Sequence, residues 1–198
     1  LTRALGFNGV RKHQKVEDPR YLAWTDRLGL LVWVEMPSAY RYSTLAAERL
    51  IREWTEVVRG AAGHPSVIAW VPLNESWGVP ALESDARQRA FMDALTGVAR
   101  TFDGTRPVSA NDGWETVGGQ IVGVHDYTQD PDELARRYAT PGAIDALLAG
   151  RRHDGRLADL DRAPAGGRPV VLSEFGGVAL AADASDGAWG YTTASSPD

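Results

Sequence analysis

The chain has 198 residues, 43% hydrophobic and 24% charged, with a formal net charge of −5 and no cysteine. That composition fits a soluble globular domain with enough apolar material for a sizeable core, and the negative balance argues against nucleic acid or an anionic membrane surface as partner. Without cysteine there are no disulfides or thiolate metal sites, and no apolar run approaches the ~20 residues that span a bilayer. The start, from Leu1, lacks both an initiator Met and the layout of a signal peptide, so the chain reads as cut from something longer. The compartment stays open, with the cytoplasm favoured over secretion.

In chain order, short β-rich runs alternate with longer amphipathic stretches. A strand over 6–11 is followed by a helix over 19–28, a strand over 30–35 and a helix over 45–62. A strand over 67–73 precedes a charged helix over 81–102, whose alternating charges read as a solvated outer face. Strands over 106–111 and 121–126 lead to helices over 131–138 and 141–148. The segment 149–167, dense in Arg, Asp and Gly, reads as an exposed excursion that includes His153; a strand over 169–174 follows. The stretch 178–198 reads as loop or linker, leading into a helix at 195–198 where Ser and Pro supply a cap and first turn.

The strands lack clean apolar–polar alternation, as expected of parallel strands covered on both faces, and no hairpin signals separate the βα units. Nearly every strand ends in a polar or charged residue: Arg11, Glu35, Asn74-Glu75, Asn111-Asp112, His125-Asp126 and Glu174. Chemistry gathered at the C-terminal ends of many parallel strands is the layout of a (β/α)8 barrel. A doubly wound sheet would place a Gly-rich turn after its first strand, which Gly6-Phe7-Asn8-Gly9 does not fit. Six strands are legible, so the α/β fold expected is an incomplete TIM barrel, a single domain over 1–198.

Two strand-end carboxylates stand out, each after a run of buried character and each flanked by an aromatic residue and glycine. Glu75 lies in HPSVIAWVPLNESWG, from His64, and Glu174 closes PVVLSEFGG, from Pro169. Glycosidic cleavage needs one carboxyl group to protonate the leaving oxygen and another to meet the developing oxocarbenium ion, about 5–5.5 Å apart in retaining enzymes. Trp77 beside Glu75 supplies an apolar flank that favours the protonated form, and Arg11 across the mouth is a cationic partner for an ionised Glu174.

These two segments resemble the acid/base and nucleophile motifs of glycoside hydrolase family 2, which includes β-galactosidases, β-glucuronidases and β-mannosidases. The run GFNGVR, followed by Asp26, Gly29 and Leu30, resembles the same family's second-to-third strand region, and the likeness extends from Gly6 to Gly177. The resemblance implies that strands two to seven of the barrel are present, with the first and eighth outside the chain. It implies Glu75 as acid/base, Glu174 as nucleophile, Asn74 on the sugar hydroxyl beside the anomeric carbon, Arg11 steadying the nucleophile, and Tyr127 near Glu174. A β-glycoside is the expected substrate, with no cofactor, and flanking segments of the full-length enzyme are the expected partners. Better-known members space the Arg11–His13 pair one residue further apart, and some carry a Mg²⁺ ligand set that has no counterpart legible here.

His13 and His125 are expected to bind sugar hydroxyls or to support groups that do. No His-x-His or His-Glu-x-x-His occurs, so no metal site is expected. His64, at a strand entrance, reads as structural, and Glu35 either lines the pocket or pairs with Arg11 or Lys12. Asn111, Asp112 and Trp114 read as substrate wall, and Trp77 and Trp114 as the sugar-stacking faces. Trp33 and Trp70, mid-strand, read as core, and Trp189 has no assigned role. The competing readings are a non-catalytic carbohydrate-binding barrel, an inactive piece of a glycosidase and a metal-dependent barrel hydrolase.

Overall fold

The computed structural model describes residues 1–151, 155–161, 167–181, 187 and 189–196; His153 and residues 197–198, where the last helix is expected to end, lie outside them. A short helical turn over Arg3–Leu5 ends at Gly6, whose φ of 88° suits glycine. The first strand therefore starts later than the sequence suggests, as β1 (Gly9–Lys12). Helix α1 (Pro19–Leu28) is started by Asp18, which accepts from the Arg20 amide, with Pro19 in the first turn. Strand β2 (Leu31–Glu35) leads to α2 (Thr44–Ala61), capped by Ser43, and then to β3 (Val67–Val71). The three strands form one parallel sheet in the order β1-β2-β3.

Helix α3 (Ala86–Phe102) begins five residues later than expected, because Asp85 caps it by accepting from the Arg87 amide. Residues 81–84 are turns instead, pinned where the Ala81 amide donates to Gln88 Oε1 at 2.8 Å.

The strand expected over 106–111 is not a regular one. It pairs with the β3 segment through isolated parallel bridges, Trp70 with Val108 and Asn74 with Asp112. Pro72, between the bridges, and Pro107, just before them, have no N–H to donate, and each removes a rung. The chain then enters β4 (Val122–Asp126), α4 (Pro131–Tyr138), α5 (Pro141–Ala149) and β5 (Val170–Phe175), with β4 and β5 parallel. The Ile121 amide donates to Val108 O at 3.4 Å, linking the two sheets into one wall of parallel segments. Where the sequence reads 178–198 as loop, β6 (Val178–Leu180) and β7 (Thr192–Ala194) pair in parallel.

Helices cover one side of this wall. In α2 the buried residues Leu50, Trp54, Val58 and Ala61 recur at helical spacing and pack on Val32, Val34 and Trp70. Trp54 meets Trp70 edge to face at 5.9 Å and donates its indole N–H to Leu95 O at 3.0 Å, tying α2 to α3. A second, smaller core joins Val122 and Val124 of β4 to Leu148 of α5. Trp70 is fully buried as expected, whereas Trp33 is only half-buried. Alternation along β2 turns Val32 and Val34 to the helices, so Trp33 faces the other way and lines a cleft of about 410 Å³ with Arg11, Ile68, Val171 and Ser173.

Candidate active site

The strand ends bring residues from β1, β2, β3 and its following loop, the 108–112 segment, β4 and β5 to one place. Arg11 is the centre of this group. Its Nε donates to Glu35 Oε2 at 2.6 Å and lies 3.2 Å from Asp112 Oδ2; one terminal nitrogen donates to Asn74 Oδ1 at 2.6 Å and the other to Glu174 Oε1. Tyr127 donates its hydroxyl to the second oxygen, Glu174 Oε2. Burial alone would raise the Glu174 carboxyl, but the His125 charge and the Tyr127 and Arg11 hydrogen bonds prevail and hold it below its ordinary value.

Glu75 sits just past β3 on a strained backbone, with φ of 48° at Glu75 and 55° at Ser76. Left-handed non-glycine residues cost on the order of 1–3 kcal/mol each and persist only where the surroundings enforce them. Here the Glu75 amide donates to Asp112 O at 3.0 Å and the Ser76 amide to Asn111 Oδ1 at 3.0 Å. The Glu75 side chain meets His125, whose Nδ1 lies 2.7 Å from Glu75 Oε1. One carboxylate oxygen each of Glu75 and Glu174, with a His125 ring nitrogen, all lie within 4.8 Å of one another. Three such groups are close enough to converge on a cation, but each already has a proton donor or acceptor partner in the protein, which favours acid–base use.

Two charges were legible only in part from the sequence. Glu35 pairs with Arg11 rather than Lys12, and its burial raises the carboxyl to about 7 against the opposing effects of Arg11 and the Gln14 amide. Asp112, expected on the substrate wall, is fully buried and links Arg11 to His125 Nε2, which lies 3.2 Å away. Burial would raise its carboxyl, and the His125 hydrogen bond with the Arg11 charge lowers it instead. His13 is half exposed, with Nδ1 3.2 Å from Glu35 Oε1 and 3.5 Å from Glu174 Oε1. His64 caps the other end of the wall, with Nδ1 2.6 Å from Asp26.

Other expected substrate contacts lie differently. Asn111 is fully buried, its amide donating to Ser76 Oγ at 3.0 Å and Glu115 O at 2.8 Å, so it shapes the Glu75 loop rather than the cleft wall. Trp114 carries the Arg156 guanidinium 4.4 Å from its ring centre, which occupies one aromatic face. Trp77 is 48% exposed, leaving its ring accessible. Tyr191 stacks on Tyr127 at 3.8 Å, and Trp189 packs on Tyr191 at 5.3 Å. Sequence reasoning missed this group; its only signal was two aromatics around Gly190 in a segment otherwise poor in large residues.

No protein-family model matches the chain. Over 133 residues it is 29% identical to a putative beta-glucuronidase of Formosa agariphila, a match covering 63% of this chain and 15% of that protein. The structure resembles a beta-D-glucuronidase of Dictyoglomus thermophilum, with a TM-score of 0.63 and 19% identity over 96% of this chain and 34% of the other. It also resembles a beta-glucuronidase of an uncultured Clostridium sp., with a TM-score of 0.61 and 16% identity over 91% and 31%. At these identities the structural likeness concerns the fold alone. The parallel α/β frame is consistent with part of a glycosidase barrel. No helix among the described residues is long and apolar enough to cross a membrane.

Proposed function

We propose that this chain carries the catalytic carboxylates of a retaining β-glycosidase, with Glu174 as nucleophile and Glu75 as acid/base. The parallel segments then correspond to strands two to seven of a (β/α)8 barrel of the family 2 type. The observation that carries this reading is the unequal setting of two neighbouring carboxylates. Glu174 is held by Arg11 and Tyr127, as an anionic nucleophile requires, while Glu75 faces a histidine that can share a proton.

In the first step Glu174 bonds to the anomeric carbon while Glu75 passes its proton to the departing oxygen. In the second, Glu75 takes a proton from water as the water oxygen displaces Glu174. Asn74 gives its Oδ1 to Arg11, which leaves its amide N–H groups to donate to the sugar hydroxyl beside the anomeric carbon. Trp77 offers an accessible aromatic face for the sugar ring.

The test is a panel of aryl β-glycosides, with the glucuronide, galactoside and mannoside among them, on the full-length protein and its Glu174→Ala variant. Loss of activity in the variant, with azide restoring turnover to a product of inverted configuration, is the expected result. A variant that keeps its activity removes Glu174 as nucleophile, and a wild-type protein inert on the whole panel removes the reading.

A further inference from the structure

The two-carboxylate mechanism leaves His125 and Asp112 without a task, although both are fully buried between the catalytic groups. A register shift between Val124 and His125 sets His125 opposite Glu174 on β5. Its ring then lies with Nδ1 2.7 Å from Glu75 Oε1, and Nε2 3.2 Å from Asp112 Oδ2 and 3.4 Å from Glu174 Oε1. Asp112 also accepts from Ser109 Oγ at 3.1 Å. The backbone is packed tightly against the pair: a Cβ on Gly113 would overlap the His125 ring, and one on Gly123 would overlap the Asp112 carboxylate.

An ionised carboxylate only accepts hydrogen bonds, so Nε2 of His125 must carry a hydrogen toward Asp112. That fixes what Nδ1 can do. It either accepts from a protonated Oε1 or, in the imidazolium, donates to Oε1, which leaves the acid proton of Glu75 on Oε2. In both states one proton lies between Nδ1 and Oε1, and Oε1 is committed to the ring. Oε2 of Glu75 has no hydrogen-bond partner among the described residues.

We infer that Asp112 and His125 are a buried positioning pair for the acid/base: Asp112 sets the ring, the ring holds Glu75 Oε1, and Oε2 exchanges the proton with the leaving group. The inference rests on the glycosidase reading above. With the imidazolium on Oε1, the proton on Oε2 moves to the glycosidic oxygen as the C–O bond breaks and Glu174 forms its ester. The Glu75 carboxylate left behind stays paired with the Nδ1 hydrogen. In the second step water returns a proton to Oε2 as its oxygen bonds the anomeric carbon and the ester breaks. The other charged groups facing this pair are Glu174 from β5, Arg11 from β1, Glu35 from β2, and His13 just after β1; Tyr127 follows His125 on its own strand end, with ring centres 6.4 Å apart. Burial works against a charged His125, and the Asp112 and Glu75 hydrogen bonds with the Asp112 and Glu174 charges outweigh it.

The test compares His125→Ala, His125→Asn and Asp112→Asn in the full-length protein on two glycosides of one sugar. One has a dinitrophenyl leaving group, which departs without acid assistance; the other has a phenyl group, which needs it. His125→Ala is expected to lose roughly tenfold to a hundredfold more kcat/KM, which reports only the first chemical step, on the phenyl substrate than on the dinitrophenyl one. His125→Asn, whose amide nitrogen stands near the Nδ1 position, restores part of that difference, and Asp112→Asn reproduces it in weaker form. Equal losses on both substrates, or no loss, overturn the inference. Covalent labelling of Glu174 by a fluorosugar with an activated leaving group, read by mass, shows which variants keep a folded site. If none of the three is labelled, the pair holds the site together rather than directing a proton, and the inference fails. A wild-type protein that neither turns over nor labels defeats the glycosidase reading instead.

Discussion

Arg11 and Glu174 stand 163 residues apart in the chain, yet a guanidinium nitrogen of the first donates directly to a carboxylate oxygen of the second. The parallel wall makes this possible, since β1 and β5 both deliver their C-terminal ends to the same cleft. Arg11→Gln removes a charge-assisted hydrogen bond worth about 1.5–3 kcal/mol. We expect kcat/KM to fall roughly tenfold to a hundredfold. Glu174 also loses a cation that favours its ionised form, so the acid limb of the pH–rate profile should move to higher pH. A profile with an unmoved acid limb would show that Arg11 does not control Glu174.

Tyr127→Phe deletes the second donor to Glu174 and leaves the ring that stacks on Tyr191. Its unfolding midpoint should match the wild type, while kcat falls roughly tenfold, corresponding to about 1–1.5 kcal/mol. Thermal unfolding alongside steady-state kinetics separates this outcome from a packing defect. A drop in stability with kcat unchanged would place the hydroxyl in structure alone.

Gly113→Ala meets two obstacles. Gly113 has a φ of 86°, and a Cβ there would run into the His125 ring. Overpacking of this kind costs about 1–3 kcal/mol, and the left-handed backbone adds to it. Chemical denaturation should show the loss. At Gly6, which also has positive φ, an added Cβ would meet nothing within 4 Å. Gly6→Ala should therefore cost less and serves as the control.

Asp126 should govern part of the acid stability. Burial would raise its carboxyl, but hydrogen bonds from Arg137, Thr128 and Tyr138 lower it from 3.8 to about 2. In the unfolded chain it protonates first as pH falls. Its contribution is therefore complete above 3.8 and is lost as pH drops toward about 2. Asp126→Asn should be less stable than wild type at pH 7, with the gap closing through that acid window. A gap that stays constant with pH would rule the carboxylate out as the source.

Glu35 should act in the opposite sense. Its native carboxyl is raised from 4.5 to about 7, so across that interval the folded protein binds more protons than the unfolded one. Stability should decline as pH rises through the window, and Glu35→Gln should flatten the decline. Denaturant unfolding at closely spaced pH values measures both slopes; equal slopes would refute the assignment.

The sequence by itself determined the order of the α/β units, because apolar runs such as Val67–Val71 and the helical spacing of Leu50, Trp54 and Val58 are local patterns. It also placed Glu75 just past a strand and Glu174 at the end of one, since a strand end is legible as an apolar run giving way to a polar residue. Pairing across strands was not legible. The prolines that break the ladder at 106–112 act only when that segment lies beside β3, and the turn of Trp33 into the cleft depends on which face of β2 the helices cover. The roles of Asp112 and His125 belong to the same class. Between them lie only residues 113–124, but what makes them a unit is the approach of Arg11, Glu75 and Glu174 from three other elements. Charge, hydrogen-bond geometry and desolvation act through space, so the partners of a buried carboxylate are fixed by the tertiary structure.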